Sequence, residues 1–263
     1  MSAYLRDDGR DEVKPIKFVA AGDIHGDEQD PTTIKALLAF TKEYLGKDGG
    51  LVVCLGDLWD FRAIRRGADD TDQASSLQRD WDAGEEFIRE FFSHGDERIF
   101  LRGNHDERIY DMSTNVRSGV ARDYALDGCA NIEQIMKDTR GKMYPYDSTN
   151  GIYKQGSLTF VHGYGASLHG AKQHADAYGA GAVLFGHTHA IDYYKSVSID
   201  SREAYNIGCC CGITPSYTRN QMRRLRWQNG WAFGLIHEGG VHDVFQARRR
   251  NGKFIVPTNM KTF

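Results

Sequence analysis

Short apolar runs alternate with amphipathic stretches along the first two thirds of the chain. This alternation predicts strands that are connected by helices, as in an α/β fold. Apolar residues recur at helical spacing in the longer stretches, which end at glycines. The predicted strands are 16–21, 51–55, 98–101, 158–161 and 182–185, and the predicted helices lie near 31–45, 81–92 and 171–178.

Beyond residue 190 the pattern changes to short β-prone runs at 193–197, 204–207, 231–236, 241–245 and 254–256. These runs predict strands that complete a second sheet. Residues 1–15 are charged and are expected to form a flexible leader, which a single domain at 16–263 follows. Two segments lack periodicity: 63–78 is predicted to be an exposed loop or lid, and 107–155 a cap inserted over the site.

Composition narrows the class of protein. A chain of 263 residues with 40% hydrophobic residues can bury a sizeable core. The formal net charge of −3 provides no overall basic field, so nucleic-acid binding driven by total charge is not expected, although a local basic groove is possible. No apolar run approaches the ~20 residues of a membrane helix. The expectation is a cytoplasmic protein without membrane contact.

Cysteine usage agrees with a reducing compartment. The chain has five cysteines, and three of them are consecutive at 209–211. Neighbours in such a run cannot easily bridge one another, so free thiols that pack as small apolar groups are the simpler interpretation.

A short polar block follows each of five predicted strands. The blocks offer carboxylate, imidazole and amide groups, which are metal ligands, at the strand ends where α/β folds place their working loops. Any one block is weak support, but five in order predict a two-metal site that cleaves phosphoesters. The blocks are Asp23-Ile24-His25, Gly56-Asp57-Leu58-Trp59-Asp60, Gly103-Asn104-His105-Asp106, Val161-His162-Gly163 and Gly186-His187-Thr188-His189.

These blocks together resemble the signature motifs of the calcineurin-like metallophosphoesterase superfamily, over roughly residues 16–190. The resemblance implies an α/β fold, a four-layer αββα sandwich of two mixed sheets flanked by helices. It implies one metal held by Asp23, His25, Asp57 and His189. It implies a second metal held by the shared Asp57 with Asn104, His162 and His187.

Two divalent ions so close together repel, and Asp57 with a bridging hydroxide would supply the anions between them. Mixed nitrogen and oxygen ligation without thiolate favours Mn²⁺, Fe²⁺ or Zn²⁺ over Ca²⁺. Mn²⁺ is the first choice, with Fe²⁺ or Zn²⁺ as alternatives.

The resemblance also implies two catalytic residues. His105 would act as the general acid that protonates the leaving oxygen. Asp60 would hold its imidazole in one orientation and raise its pKa toward the working pH. The presence of both residues argues against a relative that keeps the fold but has lost the reaction.

The substrate is less defined. The protein Ser/Thr phosphatases of the superfamily usually show Gly-Asp-x-Val-Asp-Arg-Gly and Gly-Asn-His-Glu, whereas this chain has Asp60-Phe61-Arg62 and Asn104-His105-Asp106. A dedicated protein phosphatase is therefore disfavoured. Arg62, Arg102 and His169 are the candidate substrate contacts.

A basic, aromatic stretch at 217–227 suits a nucleic-acid backbone with stacked bases, but a surface hairpin whose tryptophans pack inward is the favoured interpretation. The predicted function is phosphodiester hydrolysis, on a small molecule or a nucleic acid. The alternatives are a DNA or RNA nuclease, a phosphomonoesterase and a non-catalytic metal-bound interaction module. Oligomeric state stays open.

Overall fold

The computed structural model describes residues 14–115, 118–165, 167–197, 199–214 and 225–256. Residues 1–13 of the predicted leader and residues 217–224 of the basic stretch lie outside these ranges. The strands are β1 (Ile16–Ala21), β2 (Leu51–Cys54), β3 (Glu97–Leu101), β4 (Lys142–Tyr144), β5 (Tyr153–Gln155), β6 (Leu158–Phe160), β7 (Gly181–Phe185), β8 (Ile191–Lys195), β9 (Arg202–Ile207), β10 (Gly230–Ile236), β11 (His242–Arg250) and β12 (Lys253–Phe254). The helices are α1 (Pro31–Leu45), α2 (Asp70–Gln73), α3 (Leu77–Ser93), α4 (Glu107–Asn115), α5 (Gly119–Thr139) and α6 (Gly170–Tyr178).

The strands form two mixed sheets. The large sheet has the order β12-β11-β10-β1-β2-β3-β4, and the small sheet has the order β5-β6-β7-β9-β8. In the large sheet β1, β2, β3 and β4 run parallel, while β10 pairs antiparallel with β1. In the small sheet β6, β7 and β9 run parallel.

Successive side chains of a strand enter different layers of the core. Phe18 of β1 packs between the sheets with Phe160, whereas Val19 packs on the outer face with residues of α1, α3 and α5. Leu184 of β7 likewise faces the other sheet, and Val183 faces α6. Helices therefore cover both outer faces, and the predicted four-layer αββα sandwich is confirmed.

Local signals set the ends of α1, the helix between β1 and β2. Asp30 caps its N-terminus by accepting from the Thr33 N–H at 2.8 Å, and Pro31 occupies its first turn. Gly46 follows its last residue with a φ of 59°, a conformation that glycine adopts without a steric penalty.

Two predictions of organisation differ from the structure. The strands beyond residue 190 do not all enter a second sheet, because β8 and β9 join the small sheet and β10, β11 and β12 join the large one. Residues 107–155 do not form a separate cap: buried residues of α4 and α5 join the core outside the large sheet, and β4 and β5 extend the two sheets. Helices of the described ranges are all too short or too polar to cross a membrane.

Candidate metal centre

The polar blocks meet where strands of both sheets end. Asp23, Asp57 and Asn104 follow β1, β2 and β3 of the large sheet, and His162 and His187 follow β6 and β7 of the small one. Because these parallel strands point the same way within each sheet, their following loops converge at one edge. The structure therefore brings all seven predicted ligands together.

The first group of potential ligands consists of Asp23, His25, Asp57 and His189. Asp23 Oδ1 lies 3.3 Å from His189 Nε2, and the Nε2 atoms of His25 and His189 lie 3.2 Å apart. The distance from His25 Nε2 to Asp57 Oδ2 is 3.8 Å. The ligand atoms of Asp23, His25 and Asp57 all lie within 4.8 Å of one another, and His189 contacts both Asp23 and His25, so the four side chains are close enough to hold one cation.

The second group consists of Asp57, Asn104, His162 and His187. Asn104 Oδ1 lies 3.1 Å from His162 Nε2 and 2.8 Å from His187 Nδ1. His162 Nε2 lies 3.5 Å from Asp57 Oδ2, so this carboxylate belongs to both groups. Two separate donor sets that share one carboxylate are the arrangement that a pair of divalent ions requires.

Outer contacts fix which imidazole nitrogen faces each group. His162 Nδ1 donates to the Leu55 carbonyl at 2.7 Å, which leaves the lone pair on Nε2. His25 Nδ1 donates to Asp60 Oδ1 at 2.9 Å with the same result. Metal-binding histidines are typically oriented in this way by a hydrogen bond from the other nitrogen. The side chains present therefore fit two divalent ions.

At Asp57 and His187 the electrostatics favour the protonation states that metal binding needs. Burial alone would raise the pKa of Asp57, but the nearby His105 and His162 outweigh it and lower that pKa below its usual range. Burial, together with the charge of His162, lowers the pKa of His187 to about 4. An ionised carboxylate and a neutral imidazole at neutral pH are both ready to bind a cation.

His25 and His189 differ from these two residues. Burial alone would lower the pKa of both rings, but nearby acidic groups outweigh it, raising the pKa of His25 and raising that of His189 to about 10. A metal must therefore displace a proton from each of these two rings.

Backbone strain is concentrated at these residues. Five of the seven predicted ligands have a positive φ, which is uncommon outside glycine and characteristic of functional sites. Gly103 also permits a close approach, because a Cβ on it would lie 2.1 Å from Asp57 Oδ1. The five residues are Asp23, His25, Asp57, His187 and His189.

His105 lies beside the metal groups and lines the same cavity. Its Nδ1 donates to Asp60 Oδ1 at 2.6 Å, and Arg108 donates to its Nε2 at 3.2 Å. Asp60 therefore accepts from both His105 and His25 and holds the two rings in place.

Asp60 acts to raise the pKa of His105, as expected, but the net shift of this pKa is downward. Burial lowers this pKa, and the charges of His25 and Arg108 act in the same direction. They outweigh the opposite effect of Asp57 and Asp60. The imidazole is thus mainly neutral at pH 7, with its hydrogen on the nitrogen that faces Asp60.

Two of the predicted substrate contacts are engaged elsewhere. Arg62 lines the cavity, but its guanidinium forms a double hydrogen bond with Asp27 at 2.7 and 2.8 Å. Arg102 does not line the cavity: its guanidinium lies 3.7 Å from the centre of the Tyr110 ring, and its Nε lies 3.4 Å from Glu107. Arg62 and Arg102 are next to the polar blocks in sequence, but this position did not predict which groups their side chains contact.

His169, just before α6, and His174, within α6, also lie outside the cavity beside the metal ligands. His169 is exposed at the start of α6 and does not line the cavity. His174 is buried, donates from Nδ1 to the Gly170 carbonyl at 2.7 Å and stacks on Phe185. The predicted contact by His169 is therefore not found, and His174 supports packing.

The cavity beside the ligands has a volume of about 320 Å³ and includes residues that the sequence did not identify. Arg108 lines it one helical turn after His105, a spacing that could have revealed it. Arg226 and Trp227 also line it. The expected inward packing of the tryptophans holds for Trp231, which is 1% exposed, but not for Trp227.

The three consecutive cysteines are buried, as their interpretation as packing residues predicts. Burial raises the pKa of Cys210 well above its usual value, so its thiol stays protonated. Cys211 lies behind the first ligand group, with its sulfur 3.8 Å from His189 Nδ1.

The chain is similar to one known family of proteins. The family model described as calcineurin-like phosphoesterase matches residues 16–190. No curated protein matches the chain. Among solved structures, wild-type Vps29 complexed with Zn²⁺ from Entamoeba histolytica is 12% identical with a TM-score of 0.46, over 93% of this chain and 100% of that one. A cold-active protein-tyrosine phosphatase of a psychrophile, Shewanella sp., is 14% identical with a TM-score of 0.30, over 87% of this chain and 80% of that one.

Proposed function

The chain belongs to the calcineurin-like phosphoesterase family, and from that premise we propose that it is a metal-dependent phosphodiesterase. The observation that carries the proposal is the pair of ligand groups joined by Asp57, with His105 in the same cavity. His105 Nε2 lies 3.8 Å from Asp57 Oδ2, so a phosphoryl group bound at the metals would lie within reach of the imidazole.

We assign Asp23, His25, Asp57 and His189 to one metal and Asp57, Asn104, His162 and His187 to the other. Two divalent ions would supply positive charge for the phosphoryl oxygens and lower the pKa of a water nucleophile. His105 is the proposed general acid. Its Nδ1 donates to Asp60, so only the imidazolium form, in which Nε2 also carries a hydrogen, can protonate the leaving oxygen; this form is the minor one at pH 7.

Charge in the cavity favours a diester over a monoester. The arginines that line it within the described ranges already have anionic or carbonyl partners: Arg62 with Asp27, Arg65 with Asp72, Arg226 with Asp192, and Arg108 with the Asp60 carbonyl. A monoester dianion would need a more cationic pocket than a singly charged diester does.

Mn²⁺ is the proposed metal, with Fe²⁺ or Zn²⁺ as alternatives, because the two groups combine carboxylate, amide and imidazole ligands. We place the enzyme in the cytoplasm. All five cysteines are free, which agrees with a reducing compartment.

The test compares hydrolysis of bis-p-nitrophenyl phosphate and p-nitrophenyl phosphate in Mn²⁺, with wild type and His105→Ala. We expect the p-nitrophenyl diester to be preferred over the monoester. On a diester whose alcohol leaving group needs a proton, we expect His105→Ala to lower kcat by a factor of about 10² to 10⁴ while metal content stays near normal. His237→Ala is the matched control, because His237 is partly exposed and pairs with Asp243 outside the cavity.

A preference for the monoester would make the protein a phosphatase. Full activity of His105→Ala on a diester with an alcohol leaving group, which unlike p-nitrophenolate must be protonated to leave, would refute the general-acid role. Bound metal without hydrolysis of either ester would favour the non-catalytic alternative.

A further inference from the structure

Four aromatic rings form a row across the floor of the cavity. The ring of His105 lies 4.4 Å from that of His25, His25 lies 5.1 Å from His189, and His189 lies 4.3 Å from Trp227. The proposed general acid is therefore at one end of the row and an indole is at the other. Two proposed metal ligands separate them.

The two ends of the cavity differ in chemistry. Arg108 and Arg62 lie at the His105 end, where both approach Asp60.

At Trp227, which is partly exposed, the neighbouring cavity residues are linked by contacts: Ala190 pairs with Trp227, and Arg226 donates to the carbonyl of Leu168, which is 69% exposed. We call this part of the lining the indole end, and assign to it Ser167, Leu168, Thr188, Ala190, Arg226 and Trp227.

Arg226 holds the indole end together, because it donates to the Leu168 carbonyl at 3.3 Å and pairs with Asp192 of β8 at 3.0 Å. Its guanidinium charge is therefore already paired.

The indole of Trp227 is the group that can contact a substrate. An exposed aromatic face of this kind stacks on a base in single-stranded nucleic acid. Ser167 and Thr188 add hydroxyl groups that can pair with base or sugar edges.

We propose that the indole end is a nucleoside subsite, so that the substrate is a phosphodiester with a nucleobase stacked on Trp227. The inference rests on the phosphodiesterase activity proposed above and names its substrate class. The nucleobase can come from a small nucleotide ester or from a single-stranded nucleic acid.

The row of rings also assigns the orientation of the substrate. His105 assists the leaving oxygen, so the leaving arm of the diester lies at that end. The nucleoside is separated from His105 by the rings of His25 and His189 and is therefore on the arm that the phosphate retains. This predicts that recognition of the base is independent of the leaving group.

Two synthetic diesters with the same leaving group but different retained arms isolate the contribution of the nucleobase to kcat/KM. One is methyl p-nitrophenyl phosphate, and the other is thymidine 5′-(p-nitrophenyl phosphate), in which thymidine is the retained arm. For wild type in Mn²⁺ we expect kcat/KM to be higher for the thymidine ester by a factor of about 5 to 150, the range for stacking one base.

Trp227→Ala should bring the ratio of the two kcat/KM values close to one, and Trp227→Phe should retain part of it. The ratio is the readout because Trp227 contacts His189, and a general loss of activity would affect both esters equally. Tyr193→Ala is the control, since Tyr193 is an aromatic residue that is 45% exposed outside the cavity.

Equal rates on both esters in wild type, or an unchanged ratio in Trp227→Ala, would refute the subsite and leave the phosphodiesterase intact. No hydrolysis of either ester would instead refute the proposed function. Inhibition of thymidine ester hydrolysis then separates the sources: an oligothymidylate that inhibits more strongly than a thymidine dinucleotide identifies a nucleic acid, and equal inhibition identifies a small nucleotide.

Discussion

Replacement of Asp80 by alanine should destabilise the protein in a pH-dependent manner. Asp80 lies on α3, is 2% exposed, and accepts from the N–H groups of Asp60 at 3.0 Å and Phe61 at 2.6 Å. Phe61 has a φ of 48°, so these bonds hold a strained turn. The turn directs Asp60 toward both His25 and His105.

Two opposing contributions determine the size of the effect. Asp80→Ala leaves two backbone N–H groups without their acceptor, at a cost of about 1–3 kcal/mol each. Burial is the main cause that raises the pKa of Asp80 from 3.8 to about 6, and the charges of Asp60 and Asp27 add to it. Ionised Asp80 therefore disfavours the folded state by about 3 kcal/mol relative to its protonated form.

The sign of the pH dependence follows from the raised pKa. Below pH 3.8 Asp80 is protonated in both the folded and the unfolded state, so its ionisation does not lower the free energy of unfolding. As the pH rises, Asp80 ionises first in the unfolded state, and the loss of stability grows until it is complete above about pH 6. The variant has no such penalty. Its deficit in the free energy of unfolding should therefore be larger at pH 5 than at pH 7, by about 1 kcal/mol.

The assay is urea unfolding of chelated wild type and Asp80→Ala at both pH values, followed by tryptophan fluorescence. Other titrating groups cancel in the difference between the two proteins. Asp82→Ala, an exposed position on the same helix, should show a small deficit that does not change with pH. A deficit for Asp80→Ala that is equal or larger at pH 7 would refute the raised pKa.

The remaining predictions concern the metal groups. Asp57→Asn removes the charge shared by both groups and should lose bound metal in elemental analysis after gel filtration; full retention would contradict the shared role. Gly103→Ala would place a Cβ 2.1 Å from Asp57 Oδ1, so calorimetry should show Mn²⁺ affinity weakened about tenfold or more with an unchanged circular dichroism spectrum. An unchanged Mn²⁺ affinity in Gly103→Ala would mean that Asp57 can shift away from the new Cβ and still bind the metal. Chelation should lower Tm by roughly 5–10 °C, with recovery on adding Mn²⁺ at about 100 times Kd. A Tm that does not respond to chelation would indicate that no ion is bound.

The positions of the metal ligands could be predicted because their signal is local. Each block directly follows an apolar strand, so the ends of β1, β2, β3, β6 and β7 were identifiable before any contact was known. Parallel strands then bring distant blocks to one edge. The positive φ values of His25 and His187 were not predictable, because both adopt them under the constraints of the folded site.

Features that depend on non-local partners could not be predicted. Arg62 lies next to the second block, but Asp27 from the preceding block engages its guanidinium. Trp227 belongs to a stretch whose pattern also fits a surface hairpin, and only its contact with His189 shows that it reaches the site. The lowered pKa of His105 likewise arises from its burial and from the charge of His25, which is distant in sequence, and a local pattern in the sequence shows neither of these.

The pairing of β1 with β10 has a consequence for synthesis of the chain. Ile16 of β1 is paired with Ile236 of β10, so one edge of β1 stays open until the chain has been synthesised as far as β10, long after β1 itself has left the ribosome. During that time the backbone N–H and C=O groups along one edge of β1 have no partner strand and stay exposed. Substitutions in β10, which lies far from the chemistry in sequence, should therefore reduce the yield of soluble protein while molecules that do fold keep their normal turnover.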